Sequence, residues 1–261
     1  MAEYITLTTD WHSSDYYIGA IKASILSRIP SVSFVDISHN IESFSFQQAA
    51  FVLKNSYENF PNGTIHIIGV DSEPDKKGNI VIAVYKNQFF ICNNNGCLGL
   101  IFDKKPEQAI IIDTGFAFEG STFPELSIFT DLACYIIKSG KISELGEVVD
   151  DIKRFPEFGA QIEPNTINGE VIYVDSYSNL ITNITKQMFE ENVSDSKFEI
   201  LLNSNSLKTD QVHLSYKEVD TGEIVCIFNS INLLEIAIRE GKAAQLLNLN
   251  RKSQIRIKFN L

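Results

Sequence analysis

TIHIIGVDSEPDKKGNIVIAVYKNQFFICNNNG, residues 64–96, consists of two apolar, β-rich runs, 64–70 and 79–92, around an acidic, turn-forming insert. The first run reads as a strand buried on both faces, and Asp71 stands where it stops. The second run stops at Asn93, Asn94, Asn95 and Gly96. In open α/β sheets, ligands bind outside the carboxyl ends of the strands, which makes Asp71 and the Asn run site candidates. The alternative is that Asp71 caps a turn and the Asn run is a polar loop, because Asn, Asp and Gly dominate turns.

Upstream of this stretch, strands and helices alternate. Residues 4–8 form a β-rich run that ends in Thr9-Asp10-Trp11-His12. Tyr17, Ile18, Ile21, Ile25, Leu26 and Ile29 recur at helical spacing, with Ser14 or Asp15 as cap and Pro30 as stop. A strand over 33–37, a helix over 46–57 and a Pro61-Asn62-Gly63 turn lead back to the central strand. Such alternation predicts a parallel sheet with helical crossovers. Downstream, the pattern predicts a helix over 97–102, a strand over 109–112 and a helix over 125–138 closed by Gly140. Residues 155–168, FPEFGAQIEPNTIN, lack periodicity and read as a linker. Beyond it come short β runs at 169–174, 180–184, 198–202, 211–217, 223–228, 233–238 and 254–259, with a lone helix at 242–247. Strands so closely spaced suggest a small barrel or sandwich.

Composition narrows the function. The chain has 261 residues and a net charge of −11, a surface that repels phosphate backbones and makes nucleic acid an unsuitable partner. No apolar run approaches the roughly 18 residues of a membrane span, and the first residues, MAEYITLTTD, lack a signal-type block. Cys92, Cys97, Cys134 and Cys226 form no CxxC pair, which suits reduced, mostly buried thiols in a cytoplasmic protein. No metal site is expected.

Asp10, Asp36 and Asp71 stand at or near predicted strand ends. A carboxylate there accepts the hydrogen bonds of ribose hydroxyls, although Asp also caps helices at such positions. No glycine-rich phosphate loop, GxxxxGK[ST] or GxSxG occurs. A ribose-bearing ligand without phosphates therefore fits better than a phosphate-rich nucleotide. His39, His66 and His213 read as structural, whereas His12 lies in the strand-end loop as a site candidate. Asp175-Ser176-Tyr177-Ser178-Asn179, with Asn183, suits an amino-acid head group, the carboxylate facing the ammonium, or else an ordinary β-turn.

With these residues in place, the chain resembles the S-adenosylmethionine hydroxide adenosyltransferases, the superfamily that includes fluorinases and chlorinases. The markers are TLTTDWHSSDYYIGAIKASIL, VDISHNIESFSFQQAAFVL, FPNGTIHIIGVD, ICNNNGCLGL, GEVIYVDSYSNLITNI and FNSINLLEIAIREGKAA, in the family's order. The fold implied is α/β: a Rossmann-like N-terminal domain with a mostly parallel sheet over 1–155, a linker over 156–168, and a C-terminal β-barrel over 169–261.

The resemblance implies S-adenosylmethionine as substrate, no separate cofactor, and a homotrimer with sites at subunit interfaces. It puts the ribose-holding aspartate on Asp10, beside Trp11, and the loop aromatic on Phe44. The water-orienting aspartate falls on Asp71 and the asparagine before the glycine on Asn95. The methionine-holding pair falls on Asp175 and Asn179, with Asn183 nearby. Asn229 and Ser230 match the family Asn-Ser, and Ala237, Ile238 and Arg239 the adenine-contacting segment. Hydrolytic members read VDPGVG followed by an arginine, where this chain has VDSEPDKKG; the arginine position falls near Gly78, beside Lys76 and Lys77. Their STFHGRD is STFPELS here, with Pro124 at the histidine position. Halogenating members carry tyrosine where Asp71 stands, which argues against halide as nucleophile. The implied reaction is hydrolysis to adenosine and methionine; the alternatives are ligand binding without turnover, and adenosyl transfer to another nucleophile such as chloride.

Overall fold

The computed structural model describes residues 4–72, 79–113, 122–155, 159–193, 196–202 and 207–260. The chain divides into two compact units, Met1–Pro156 and Glu157–Leu261.

The first unit runs β1 (Tyr4–Thr9), α1 (Tyr17–Leu26), β2 (Ser33–Ser38), α2 (Phe46–Lys54), β3 (Ile65–Gly69), β4 (Asn79–Tyr85), β5 (Gln88–Asn93), α3 (Cys97–Ile101), β6 (Gln108–Asp113), α4 (Thr130–Ser139) and β7 (Glu147–Val149). Its sheet has the order β2-β1-β3-β5-β4-β6-β7. Ile5, Leu7, Ile65 and Ile67 point to the face covered by α1 and α4. Ile68, Val81, Phe90 and Cys92 point to the face covered by α2 and α3. Each such fully buried side chain contributes roughly 1.5–3 kcal/mol of hydrophobic stabilisation. From β1 the chain crosses to β2 on one side, and β3 then lies on the other side of β1. That reversal leaves a crevice at the carboxyl ends of β1 and β3.

The sheet is mixed, not mostly parallel. Among the described residues of this sheet, only the β1–β2, β1–β3 and β3–β5 pairings are parallel. The expected single run over 79–92 is a hairpin, β4 against β5. Lys86 and Asn87 turn it with φ of 50° and 58°, the left-handed pair of a type I′ turn, which reverses the chain without a crossover helix. Neither Ser14 nor Asp15 caps α1, whose N-cap is Tyr16 without a side-chain bond. The expected helix over 125–138 opens as a π-helical segment, Glu125–Phe129, before α4, and Gly140 closes it at φ 67°.

The second unit runs β8 (Gln161–Glu163), β9 (Thr166–Val174), β10 (Leu180–Thr185), α5 (Lys186–Asn192), β11 (Phe198–Leu202), β12 (Lys208–Thr209), β13 (Ile224–Phe228), β14 (Leu233–Ile238), α6 (Ala243–Leu246) and β15 (Gln254–Phe259). These strands form a nearly closed, antiparallel, barrel-like sheet around Ile167, Leu180, Ile200, Leu234, Ile236 and Ile257. Three expectations are corrected. The segment read as a linker holds β8 and the start of β9, paired across a turn where Asn165 has φ 60°. Residues 211–217 are no strand: Tyr216–Glu218 is a 3-10 turn, and His213 makes one isolated bridge to Ile227. The helix at the chain's end is not alone, because Thr185 caps α5 through the Met188 amide. Cys92, Cys97, Cys134 and Cys226 are free and buried. Among the described residues, no helix is long and apolar enough to cross a membrane.

Candidate active site

In the first unit the candidates gather at the carboxyl ends of β1, β2 and β3. Asp10 follows β1, and its amide approaches the Gly69 carbonyl at the end of β3 at 3.4 Å. Its Oδ2 accepts the Phe44 amide at 2.8 Å. Phe44 has φ 65° and its side chain is 72% exposed. His12 and Asp71 also have left-handed backbones, at φ 57° and 50°. A non-glycine residue in that region costs roughly 1–3 kcal/mol, and such residues cluster at functional sites. Asp71 is held there by its neighbours: Asn93 Nδ2 donates to its carbonyl at 3.0 Å, and Asn95 Nδ2 to the Val70 carbonyl at 3.4 Å. Asn95 Oδ1 also accepts the Cys97 amide at the start of α3. The Asn run thus fixes the backbone that carries Asp71.

Trp11 packs edge-on against Phe123 with centroids 5.3 Å apart. Its indole lies so close over Gly69 that a Cβ there would stand 2.4 Å from it. Glycine is required at 69 for that approach. The same absent Cβ would lie 3.2 Å from Glu125 Oε1, so the start of the π-helical segment supplies a further carboxylate to this corner. Glu125 is 3% exposed. Burial pushes the Asp10 carboxyl above its ordinary range; the Phe44 amide opposes this, and the Asp71 charge adds to it. Burial also raises Glu125, with the Asp10 charge adding to the rise and Ser72 opposing it. Ser72 Oγ is itself buried without a well-formed hydrogen bond among the described residues. The corner is therefore acidic, a surface suited to ribose hydroxyls and to a cation.

Asp36 does not join this group. It lies within β2 and takes Lys22 Nζ at 2.6 Å. Pro124 is buried at the start of the π segment and offers no polar side chain. Lys76, Lys77 and Gly78 lie outside the described residues. Among the described residues, no group of three or more His, Cys, Asp or Glu side chains is gathered so as to hold a metal ion.

In the second unit, Asp175 and Asn179 close the turn between β9 and β10. Asp175 Oδ1 accepts the amides of Tyr177 at 2.9 Å and Asn179 at 2.7 Å. Asn179 Nδ2 reaches Asp175 Oδ2 at 3.4 Å and Glu235 Oε1 at 3.0 Å. Asn229 joins through Nδ2 to Glu235 Oε2 at 3.2 Å, and Tyr216 Oη donates to Glu235 Oε1 at 2.5 Å. Burial raises the Tyr216 phenol, and its bond to Glu235 adds to the rise. Asn183 stands apart: its Oδ1 accepts the Glu170 amide of β9 at 2.8 Å, where the β10 register shifts. Ser230 is exposed beside Asn229. Ala237 and Ile238 turn their side chains into the core, and Arg239 donates to the Val219 carbonyl at 2.7 Å. Only backbone groups of Ala237 and Ile238 are left to meet a ligand.

Glu125, Ser72, Tyr216 and Glu235 were not legible as site residues. Glu235 sits in LLEIAI, where one acid in an alternating strand reads as solvent-facing. A signal existed for Glu125: an acid between Phe123-Pro124 and an apolar helix start is an N-terminal turn position aimed at its neighbours.

Residues 5–146 match the family description "SAM hydroxide adenosyltransferase N-terminal domain", and residues 169–256 match "SAM hydroxide adenosyltransferase C-terminal domain". The chain is 26% identical over 264 residues to the (R)-S-adenosyl-L-methionine hydrolase of Methanocaldococcus jannaschii, covering 98% of this chain and 95% of that one. It is 24% identical over 263 residues to the enzyme of the same name from Thermus thermophilus, covering 95% and 97%. Among solved structures, an uncharacterized conserved protein from Thermotoga maritima superposes with a TM-score of 0.84 at 25% identity, covering 97% and 99%. Two family matches that together span most of the sequence, in the order of its two units, show that the chain belongs to the SAM hydroxide adenosyltransferase family.

Proposed function

We propose that this protein hydrolyses S-adenosyl-L-methionine to adenosine and L-methionine. The observation that carries the reading is the acidic corner at the ends of β1 and β3, where the Asp71 charge acts on Asp10, the Asp10 charge acts on Glu125, and Glu125 lies against Gly69. In the reaction, a water oxygen forms a bond to ribose C5′ while the C5′–sulfur bond breaks. The electron pair stays on sulfur, which leaves as the neutral thioether of methionine. The water proton passes to the Asp71 carboxylate acting as general base. Asp10 accepts the ribose hydroxyls, and the negative corner favours the sulfonium. A halide would meet repulsion from the same carboxylates, which favours water over chloride. The relatives named as S-adenosyl-L-methionine hydrolases support the substrate.

Asp175 and Asn179 suit the methionine head group of this substrate. A homotrimer with sites shared between subunits belongs to the same proposal; the family resemblance supports it, and light scattering of the pure protein tests it. A second reading, binding without turnover, is favoured by Pro124, which offers no polar group where the hydrolytic pattern has histidine. Incubation of the pure protein with S-adenosylmethionine, with adenosine and methionine followed by chromatography, separates the two. Release of both in equal amounts supports hydrolysis; an unchanged ligand that still binds supports the second reading.

A further inference from the structure

Glu235 is a buried carboxylate. It is 4% exposed and lies in mid-β14, in register with Ile181 of β10 and Ile227 of β13. Among the described residues, no lysine, arginine or histidine pairs with it. An ion placed there costs several kcal/mol unless hydrogen bonds satisfy it. Three neutral donors do so, each from a different segment: Asn179 Nδ2, Tyr216 Oη and Asn229 Nδ2.

An ionised carboxylate only accepts hydrogen bonds, so both asparagines must turn their NH2 groups toward it. Asn179 has two N–H hydrogens, and both are committed, one to Glu235 Oε1 and one to Asp175 Oδ2. Anything else that meets this amide finds only its carbonyl oxygen. Asp175 likewise offers only acceptors, and two backbone amides already occupy Oδ1. The Asn229 side-chain oxygen, Oδ1, is taken by the amides of Ile231 and Leu233 at 3.1 and 3.2 Å. What remains for a ligand is an acceptor-only corner with a negative charge behind it.

We infer that Glu235 is a positioning residue: by fixing the Asn179 amide, it makes the Asp175–Asn179 turn selective for a primary ammonium group. This rests on the proposed function, in which that group is the α-ammonium of the methionine portion. A glutamine at 235 would have to turn its NH2 toward one side; Asn229 is locked by the two amides on its Oδ1 and the Tyr216 hydroxyl can accept, so Asn179 is the side chain that would turn over and present N–H where the ammonium binds. The residue touches no reacting atom; it acts through Asn179.

The test is calorimetric binding of two unreactive thioethers by the full chain and by Glu235→Gln. S-adenosylhomocysteine carries the amino-acid end, ammonium and carboxylate together, and 5′-methylthioadenosine carries neither; removing the negative charge at 235 would favour the carboxylate, so a selective loss reports the ammonium. The expected result is that Glu235→Gln weakens S-adenosylhomocysteine by about tenfold or more, as for a lost hydrogen bond to a charged group, and leaves methylthioadenosine within about twofold. Equal loss for both ligands would show a merely structural role and overturn the inference, as would no loss for either. Failure of the unaltered chain to bind S-adenosylhomocysteine would overturn the proposed function itself, and the inference with it. If Glu235→Gln does not fold, Glu235→Asp, whose shorter side chain keeps the charge but withdraws the acceptor from the Asn179 amide, must leave methylthioadenosine unchanged and weaken S-adenosylhomocysteine at least threefold; equal effects would again overturn the inference.

Discussion

The Phe44 amide donates to Asp10 Oδ2 at 2.8 Å, which ties the loop after β2 to the end of β1. The aspartate therefore shapes the crevice, and in the proposed function it also accepts the ribose hydroxyls. Asp10→Ala should weaken adenosine binding by about 1.5–3 kcal/mol, the worth of hydrogen bonds to a charged acceptor. Calorimetry reads this directly, and unchanged affinity would remove Asp10 from the ribose site.

A buried chain of polar groups makes stability depend on pH. His66 lies between Thr6 Oγ1 and Gln88 Oε1, each at 2.7 Å, and Gln88 Nε2 donates to the Phe60 carbonyl. The glutamine oxygen thus faces His66 and needs Nε2–H, and the Thr6 hydroxyl donates to Nδ1. Both ring nitrogens are occupied in the neutral form, and burial lowers its pKa to about 4 from 6.5. On acidification the unfolded chain takes up this proton first. The stability is fully present above about pH 6.5 and is lost as pH falls toward 4, by roughly 3 kcal/mol. Urea unfolding from pH 7 to 4 should show this component in the unaltered chain and not in His66→Gln; identical pH profiles would exclude it.

The parallel strands, their helices and the place of Asp10 and Asp71 just past strand ends were legible because apolar period and turn chemistry agree there. The β4–β5 hairpin was not. Its two strands are mostly apolar and read as one run, and Lys86-Asn87 lacks the glycine that usually marks a two-residue turn. The β8–β9 hairpin was hidden by Pro164 and Asn165, which mark turns and linkers equally well. Residues 211–217 alternate like a strand, but Tyr216 is drawn to Glu235 and the chain turns instead. Glu235 and Glu125 escaped notice for a common reason: burial of an acid is decided by partners distant in sequence, and no local pattern records it.

We also propose that the two units are domains able to fold alone. Buried clusters of the first lie within residues 5–152 and those of the second within 167–259. Residues 1–156 expressed alone should unfold in one cooperative transition. A broad, featureless transition would contradict this.

The central claim is that Asp71 takes the proton of a water that attacks S-adenosylmethionine. The most direct measurement is the rate of adenosine release by the unaltered protein and by Asp71→Asn, with ligand affinity measured in parallel. The account predicts equal amounts of adenosine and methionine from the unaltered chain, and a fall of about 10²-fold or more in Asp71→Asn with affinity kept within a few-fold. Undiminished release by Asp71→Asn, or no release by the unaltered chain despite tight binding, would contradict it.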